Sequence, residues 1–254
     1  MFKSGLGLCV FVLVLGFPGF AQSGSRDDSQ AAGFAVVELF TSEGCSSCPA
    51  ADRYLSLLTK RADAQSLPLF TLSFHVDYWD YLGWEDPYAS KAYTQRQREY
   101  ASHQRNNRIY TPQMMINGMW GFVGSDQDEG DRLVAKALSQ KPETGFVIDL
   151  KTDWQGQKVM VDFAVEGQPT GYQLNLALVE TGLSKKVLRG ENRGRELVHD
   201  HVVRAFATKS LGRSGQGSAE LEVPGDLDRS KARLIGYVQK KGPGEVVAAA
   251  MIGL

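Results

Sequence analysis

Two cysteines separated by two residues are the chemical feature that stands out in this 254-residue chain, Cys45-Ser46-Ser47-Cys48. The third cysteine, Cys9, lies in an N-terminal segment with the composition of a secretory signal peptide. Once that segment is removed, Cys45 and Cys48 are the thiols that remain. A framework of several disulfides requires cysteines far apart in sequence, and a structural zinc site requires two further ligands nearby. The pair therefore has to act as a unit, and it suggests thiol–disulfide chemistry.

The N-terminal segment combines a basic residue, an apolar stretch and a small-residue cleavage site. Lys3 precedes the apolar run Leu6–Leu15, and Gly19-Phe20-Ala21 places small residues at −3 and −1 for cleavage after Ala21. The alternative is a retained membrane anchor, but the run is short for the ~20 residues that a spanning helix needs. We expect a signal peptide over residues 1–21, a flexible lead-in over 22–33, and a periplasmic or secreted protein without membrane contact after cleavage.

The elements around the cysteine pair would place it at a strand–helix junction. Phe34–Thr41 is a nearly continuous apolar run, typical of a strand buried on both faces, and a helical pattern follows from Ser46. Leu69–Val76 is a second such strand, which predicts a parallel strand–helix–strand unit. Backbone N–H groups at the start of the helix would stabilise a thiolate on Cys45. Cys48, one turn further on, could then attack a mixed disulfide.

The rest of the chain separates into two regions with different patterns. Asp86-Pro87 predicts the start of a helix that runs to about His103, and Asn117-Gly118 predicts a hairpin turn between two strands, before a last helix. From Gly145 onwards, short alternating runs between Gly and Pro turns predict roughly seven or eight antiparallel strands in a sandwich-like arrangement. The sequence thus predicts an α+β protein with an α/β domain over 34–142 and an antiparallel β domain over 145–254.

This order of elements, with Thr111-Pro112 before the third strand, resembles the thioredoxin fold. The resemblance implies that the Thr111–Pro112 bond is cis, that Pro112 packs opposite the cysteine pair, and that neighbouring backbone pairs with an extended substrate. An ordinary trans bond is the alternative. Thioredoxins also keep a buried acid on the strand before the cysteines, a role that Glu38 would take in proton transfer. Its alternatives are a position facing solvent at a strand edge or a pair with a basic side chain.

A more extensive resemblance is to a bacterial secreted family catalogued as domain of unknown function 1223. It rests on four segments, Val37–Asp52, His75–Asp80, Tyr110–Gln113 and Gly190–Arg195. The resemblance covers almost the whole mature chain and implies a thioredoxin-like fold, but the family brings no assigned substrate. Unlike thioredoxin, the chain has no Trp before the first cysteine, and Glu43 would oppose thiolate formation there.

An aromatic segment after the second strand is a candidate binding platform. His75, Asp77, Tyr78, Trp79 and Trp84 would lie at the carboxyl edge of the sheet, where α/β proteins bind ligands, and where the cysteine pair is also expected. Such side chains suit peptide contacts. The alternative is that they fill the interface with the β domain.

Three further sets of residues are also candidates for functional sites. Cys45, Cys48 and His75 offer the sulfur and imidazole ligands that copper accepts. His199 and His201 would share one face of a strand, directed towards solvent or a domain boundary. The arginines of the loop over residues 191–196 would be solvated or would bind a carboxylate; these are Arg193 and Arg195.

The predicted function is exchange between the Cys45–Cys48 pair and thiols or disulfides of proteins or peptides. Cys45 would react first, Cys48 would resolve the intermediate, and Glu38 would carry protons. A binding module with a structural disulfide and a copper-handling protein are the alternatives. The net charge of −1 gives no reason to expect a nucleic-acid partner, and we expect no cofactor or bound metal. The predicted binding residues are His75, Asp77, Tyr78, Trp79, Trp84 and Thr111.

Overall fold

The computed structural model describes Met1 and residues 33–106, 108–141 and 145–254. The predicted signal peptide and most of the lead-in lie outside these described residues. The first elements are β1 (Ala35–Thr41), α1 (Cys48–Gln65), β2 (Leu69–His75), a 3-10 helix (Asp77–Leu82), α2 (Lys91–His103), β3 (Gln113–Ile116), β4 (Trp120–Val123) and α3 (Gln127–Ser139).

Nine strands follow in the described residues from 145 onwards. They are β5 (Val147–Gln155), β6 (Lys158–Glu166), β7 (Tyr172–Glu180), β8 (Leu183–Lys186), β9 (Glu196–His199), β10 (Val202–Ser210), β11 (Gln216–Glu222), β12 (Ala232–Lys240) and β13 (Val246–Gly253). A mixed α/β region and an antiparallel region together make the α+β fold that the sequence predicts. No helix in the described part of the chain is long and apolar enough to cross a membrane.

The first four strands follow the predicted order closely. β1 pairs with β2 in parallel and with β3 antiparallel, and β3 and β4 form a hairpin. Asn117 and Gly118 both have positive φ angles, 49° and 70°, as a tight hairpin turn with two left-handed residues requires. The parallel β1–α1–β2 unit therefore positions the cysteine pair where the sequence places it, at the end of β1.

The main sheet continues across the predicted domain boundary. Its eight strands have the order β13-β12-β7-β10-β2-β1-β3-β4 among the described residues. The junction is the parallel pair β2–β10, where Val202 lies opposite Ser73 and the Ser73 amide donates to the His201 carbonyl at 2.8 Å. A three-stranded sheet, β11-β6-β5, packs on the β7–β12 part of the main sheet around an aliphatic core. Ala31–Leu254 forms one compact unit.

The predicted start of α2 is wrong. The helix begins at Lys91, after Ser90, whose Oγ accepts a hydrogen bond from the Ala92 amide at 3.2 Å. Asp86 does not cap this helix because its carboxylate is used elsewhere. It accepts from the amides of Glu43 and Tyr88 at 2.8 and 3.0 Å, and thus binds the segment before the cysteine pair.

Candidate functional site

The cysteine pair closes a short turn between β1 and α1. The Cys45 amide donates to the Ser42 carbonyl at 3.2 Å, and α1 begins at Cys48 with Pro49 in its first turn, where a backbone N–H has no helical partner to lose. Cys45 and Cys48 form a disulfide with Cα atoms 5.4 Å apart. Both cysteines are 0 % exposed, although Ser46 and Ser47 between them are exposed. The disulfide therefore lies just beneath the surface.

One cover over the disulfide is the loop Val187–Arg195 between β8 and β9, which we call the clamp loop. The fully buried Asn192 donates through Nδ2 to the carbonyls of Glu43 and Cys45, both at 2.8 Å. Glu191 accepts from the Ser46 amide at 2.9 Å. The clamp loop thus holds the backbone on both sides of Cys45.

The aromatic segment Asp77–Trp84 is the second cover. Trp84 Nε1 donates to Glu43 Oε2 at 2.8 Å, and Trp79 Nε1 donates to Thr111 Oγ1 at 2.7 Å. A Cβ atom on Gly44 would lie 3.1 Å from Trp79 Cβ, so this close approach favours glycine. The segment meets the clamp loop, since a Cβ on Gly190 would lie 3.5 Å from Trp84 Cβ.

The other predicted binding residues of this segment are held by α2. Asp77 accepts a hydrogen bond from the Thr94 hydroxyl at 2.5 Å, and Tyr78 donates to Gln97 Oε1 at 3.2 Å. Burial raises the pKa of Tyr78 to about 12, so this hydroxyl stays neutral. These residues lie beside the cysteine pair, but their polar groups make contacts within the protein.

The Thr111–Pro112 peptide bond is cis, the isomer that the resemblance implies. β3 runs antiparallel to β1 with Gln113 opposite Phe40, so Pro112 lies at the same sheet edge as the turn that carries Cys45. The Pro112 carbonyl accepts from the Gly124 amide at 2.9 Å.

Glu38 is paired with a basic side chain, which was one of the alternatives left open. Its carboxylate accepts two hydrogen bonds from the Arg96 guanidinium, at 2.7 and 2.8 Å, and a third from the Tyr100 hydroxyl at 2.8 Å. Arg96 also donates to the Tyr237 hydroxyl on β12 at 2.9 Å. These contacts favour a structural role for Glu38, because both carboxylate oxygens are used in hydrogen bonds within the protein.

A second group of ionisable side chains includes residues from the segments on both sides of the cysteine pair, and we call it the acid–imidazole cluster: Glu43, Asp52, His75, Asp86 and His199. All five are buried. Nδ1 of His75 donates to Asp86 at 2.7 Å, and the rings of His75 and His199 meet edge to face with centroids 4.8 Å apart. Nε2 of His199 lies 3.4 Å from Glu43 Oε1, and its Nδ1 lies 3.8 Å from Asp52 Oδ2.

Burial and neighbouring charges have opposite effects on the pKa values of this cluster. Burial raises the pKa of Asp52, although His199, His75 and a hydrogen bond from Thr41 act against it. Burial, the largest single effect, acts to lower the pKa of His75, but Asp86, Asp52 and Glu43 together raise it overall. Burial is also the largest effect on Asp86 and acts to raise its pKa, but His75 and the amides of Glu43 and Tyr88 together lower it. The cluster therefore combines a His75–Asp86 ion pair with a carboxyl group, Asp52, that holds its proton more tightly than usual.

The sequence did not indicate that these five residues lie together. Of the two positions expected for His199 and His201, solvent or a domain boundary, the structure shows the second. Both are buried and contact residues of the predicted first region, His201 through Nδ1 to Thr71 Oγ1 at 2.8 Å. The one available signal was Asp52, a carboxylate on the apolar face of α1. Arg195 of the clamp loop donates to Asn192 at 2.9 Å, so it supports the loop from within.

The copper alternative needs three ligands close together. In the part of the chain that the structure describes, no group of three or more His, Cys, Asp or Glu side chains is arranged to hold a metal ion. Nδ1 of His75 is occupied by Asp86, and the two sulfurs are bonded to each other.

Comparisons with known proteins agree with this overall arrangement. Protein AGR_C_4864 from Agrobacterium tumefaciens is similar in structure, with a TM-score of 0.63 and 30% identity over 88% of this chain and 96% of its own. HBP35 of Porphyromonas gingivalis shares the fold at 13% identity, with a TM-score of 0.60 over 89% of this chain and 76% of its own. No curated protein matches. The model of a protein family of unknown function, DUF1223, matches residues 36–239, and the chain belongs to that family.

Proposed function

We propose that the protein is an exported thiol–disulfide oxidoreductase whose redox couple is Cys45–Cys48. The observation that carries the proposal is the disulfide itself, which joins the turn after β1 to the first residue of α1. The partial positive charge at a helix N-terminus stabilises a thiolate and makes a cysteine there a better nucleophile and leaving group. The cis-proline at the same sheet edge supports a thioredoxin-like arrangement.

The two cysteines have distinct roles in this proposal. Cys45 lies next to the exposed Ser46 and reacts with the substrate, and Cys48 resolves the mixed disulfide from within the helix. The substrates are thiols or disulfides of proteins or peptides, and the backbone around Thr111 and Pro112 binds them in extended form. The protein acts in the periplasm or outside the cell, where disulfides persist.

A trapping experiment tests this function. A Cys48→Ala variant retains the reacting thiol but lacks the resolving one, so mixed disulfides with substrates should accumulate in cells. They should appear on non-reducing gels as adducts that dithiothreitol releases. The control is the double variant Cys45→Ala/Cys48→Ala, which should form none. Absence of adducts with the single variant would contradict the proposal.

The complete burial of both cysteines favours a second candidate, a binding module in which the disulfide is structural. Structural disulfides resist reduction and have potentials below about −300 mV. Equilibration of the native protein with glutathione buffers separates the two candidates. A potential well above this value supports exchange, and a pair that stays oxidised throughout supports the structural role.

A further inference from the structure

The acid–imidazole cluster contains an unusual number of buried polar atoms without partners. Among the described residues, eight buried side-chain N or O atoms lack a hydrogen bond, and five of them lie in this cluster: Glu43 Oε1, Asp52 Oδ2, His75 Nε2 and both ring nitrogens of His199. Buried polar groups are normally paired, so a concentration of unpaired ones requires a reason. Here the unpaired atoms are all titratable, and they face one another.

His199 is central to this arrangement. One ring nitrogen faces Glu43 at 3.4 Å and the other faces Asp52 at 3.8 Å, so small side-chain movements would form either hydrogen bond. Glu43 is two residues before Cys45, and Asp52 is one helical turn after Cys48 on the same helix. A residue of β9 thereby connects the segments on both sides of the disulfide.

The other charged or titratable groups around His199 have partners of their own. His75 on β2 is paired with Asp86, and Arg204 on β10 lies over the Tyr88 ring, which in turn contacts His199. The neighbouring Asp200 accepts from the Gly182 amide at 2.9 Å. The pair of acids that His199 faces directly is therefore Glu43 and Asp52.

We propose that Glu43, His199 and Asp52 form a buried proton relay that is coupled to the redox state of Cys45–Cys48, with His199 as its positioning residue. The relay rests on the proposed exchange function. It assigns to the cluster the proton transfer that Glu38, bound to Arg96, is poorly placed to perform.

The exchange steps balance as follows. The thiolate of a substrate dithiol bonds to Cys45 Sγ, and the Cys45–Cys48 bond breaks. The electron pair of that bond goes to Cys48 Sγ, which takes a proton from the relay through Asp52. The second substrate thiol, after losing its proton to solvent, attacks the mixed disulfide and releases Cys45 as a thiolate. The protein disulfide is reduced, and the substrate dithiol is oxidised to a disulfide.

The electrostatics of the cluster support this coupling. Burial keeps the Asp52 carboxyl protonated to higher pH than usual, so it has a proton to give. The relay regains that proton from solvent, because burial continues to disfavour the charged carboxylate. Its net protonation is then the same before and after the cycle, so the coupling affects the rate of reduction and not its equilibrium.

The rate of reduction by glutathione measures that proton transfer. The rate is expressed per glutathione thiolate, the species that attacks, so ionisation of the reagent does not contribute to its pH dependence. If Cys48 takes its proton from the relay as the disulfide breaks, this rate should fall as pH rises and the relay loses its proton, by up to about tenfold for each pH unit. Without the relay, the rate per thiolate should be independent of pH.

Two variants and a matched control test the relay. His199→Gln and Asp52→Asn should each abolish the fall with pH, and the second keeps an acceptor for the Thr41 hydroxyl. The control is His201→Gln, which removes another buried histidine that contacts Thr71 and should retain the wild-type dependence. Circular dichroism and the thermal transition show which variants are folded.

Distinct outcomes contradict the relay and the exchange function. A wild-type rate per thiolate that does not fall with pH, or a folded His199→Gln or Asp52→Asn variant that keeps the wild-type fall, overturns the relay while leaving exchange intact. A native protein that glutathione cannot reduce at any ratio contradicts the exchange function, and the relay with it.

Discussion

At the scale of single residues, ionisable side chains here are buried in two different ways. Glu38 and Arg96 satisfy each other through a bidentate pair that Tyr100 completes, whereas the atoms of Glu43 and His199 that face each other are left unpaired. Fully satisfied buried networks stabilise a specific structure, and unsatisfied ones are costly. We therefore infer that the Glu38–Arg96 pair stabilises the fold, and that Glu43 and His199 belong to the proposed proton relay.

Replacement of Arg96 by Met should destabilise the protein strongly. The substitution leaves Glu38 buried without its counter-charge, and the loss of one partner of a buried pair typically costs about 3–5 kcal/mol. The free energy of unfolding, from urea titration followed by circular dichroism, measures the effect. The control is Arg132→Met, which removes an exposed pair with Glu129 and should change stability little, because solvent screens exposed ion pairs. Equal effects of the two substitutions would contradict a stabilising role for the buried pair.

At the scale of elements, the β8–β9 hairpin holds the backbone segment that carries the disulfide. β8 and β9 pair with each other in a sheet of two strands, so the main sheet does not hold them directly. Their connecting loop contacts the cysteine segment through the side chains of Glu191 and Asn192. Because thiol attack needs an accessible sulfur, exchange requires this loop to move.

Asn192→Ala should accelerate reduction of the disulfide. The substitution removes both side-chain hydrogen bonds from the clamp loop to the backbone of Glu43 and Cys45, and each such bond contributes about 1 kcal/mol. Reduction by limiting dithiothreitol, quenched with acid and followed by thiol alkylation, should be about tenfold faster or more. Arg193→Ala is the matched control, since Arg193 is an exposed residue of the same loop and should leave the rate unchanged. An unchanged rate in Asn192→Ala would show that the loop does not limit access.

Local signals explain why several elements were predictable. The apolar run of β1, the start of α1 at the cysteine pair and the Asn117-Gly118 turn depend on residues close together in sequence. Asp86 does not begin α2 because its carboxylate accepts from the Tyr88 amide in a local turn, pairs with His75 and accepts from the Glu43 amide, which lies 43 positions earlier in the chain. A capping residue cannot be identified from its type when a distant partner competes for it.

At the scale of the whole molecule, the main sheet joins the two predicted regions. β10 pairs with β2, and the core on that face of the sheet contains residues from both regions; Phe74 packs edge to face on Phe206, with ring centroids 5.3 Å apart. The Arg96–Tyr237 hydrogen bond adds a polar contact between them. Stability of the region that carries the cysteine pair therefore depends on strands from the second half of the chain.

A fragment that ends near residue 142 should fail to fold cooperatively. It would expose the edge of β2. It would also expose apolar side chains of β2 and α2 that share a core with residues of β7, β10 and β12 in the full chain. Near-UV circular dichroism and urea titration of residues 33–144, compared with residues 33–254, measure this. A fragment with a sharp unfolding transition and native near-UV signals would show that the first region is an independent domain.

The sequence by itself determined the chemistry that is available and the local elements that carry it. The spacing of Cys45 and Cys48, their position before a helix and the placement of Cys9 in a predicted signal peptide all point to this pair, since these signals act over a few residues. Only the tertiary structure decided that Arg96 pairs with Glu38, that Asn192 holds the backbone around Cys45, and that His199 lies between two acids. These contacts join residues 58 to 156 positions apart in the chain, and strand pairing and burial create them in three dimensions. The cysteine pair is thus a local feature, and its cover and its proton environment are properties of the whole fold.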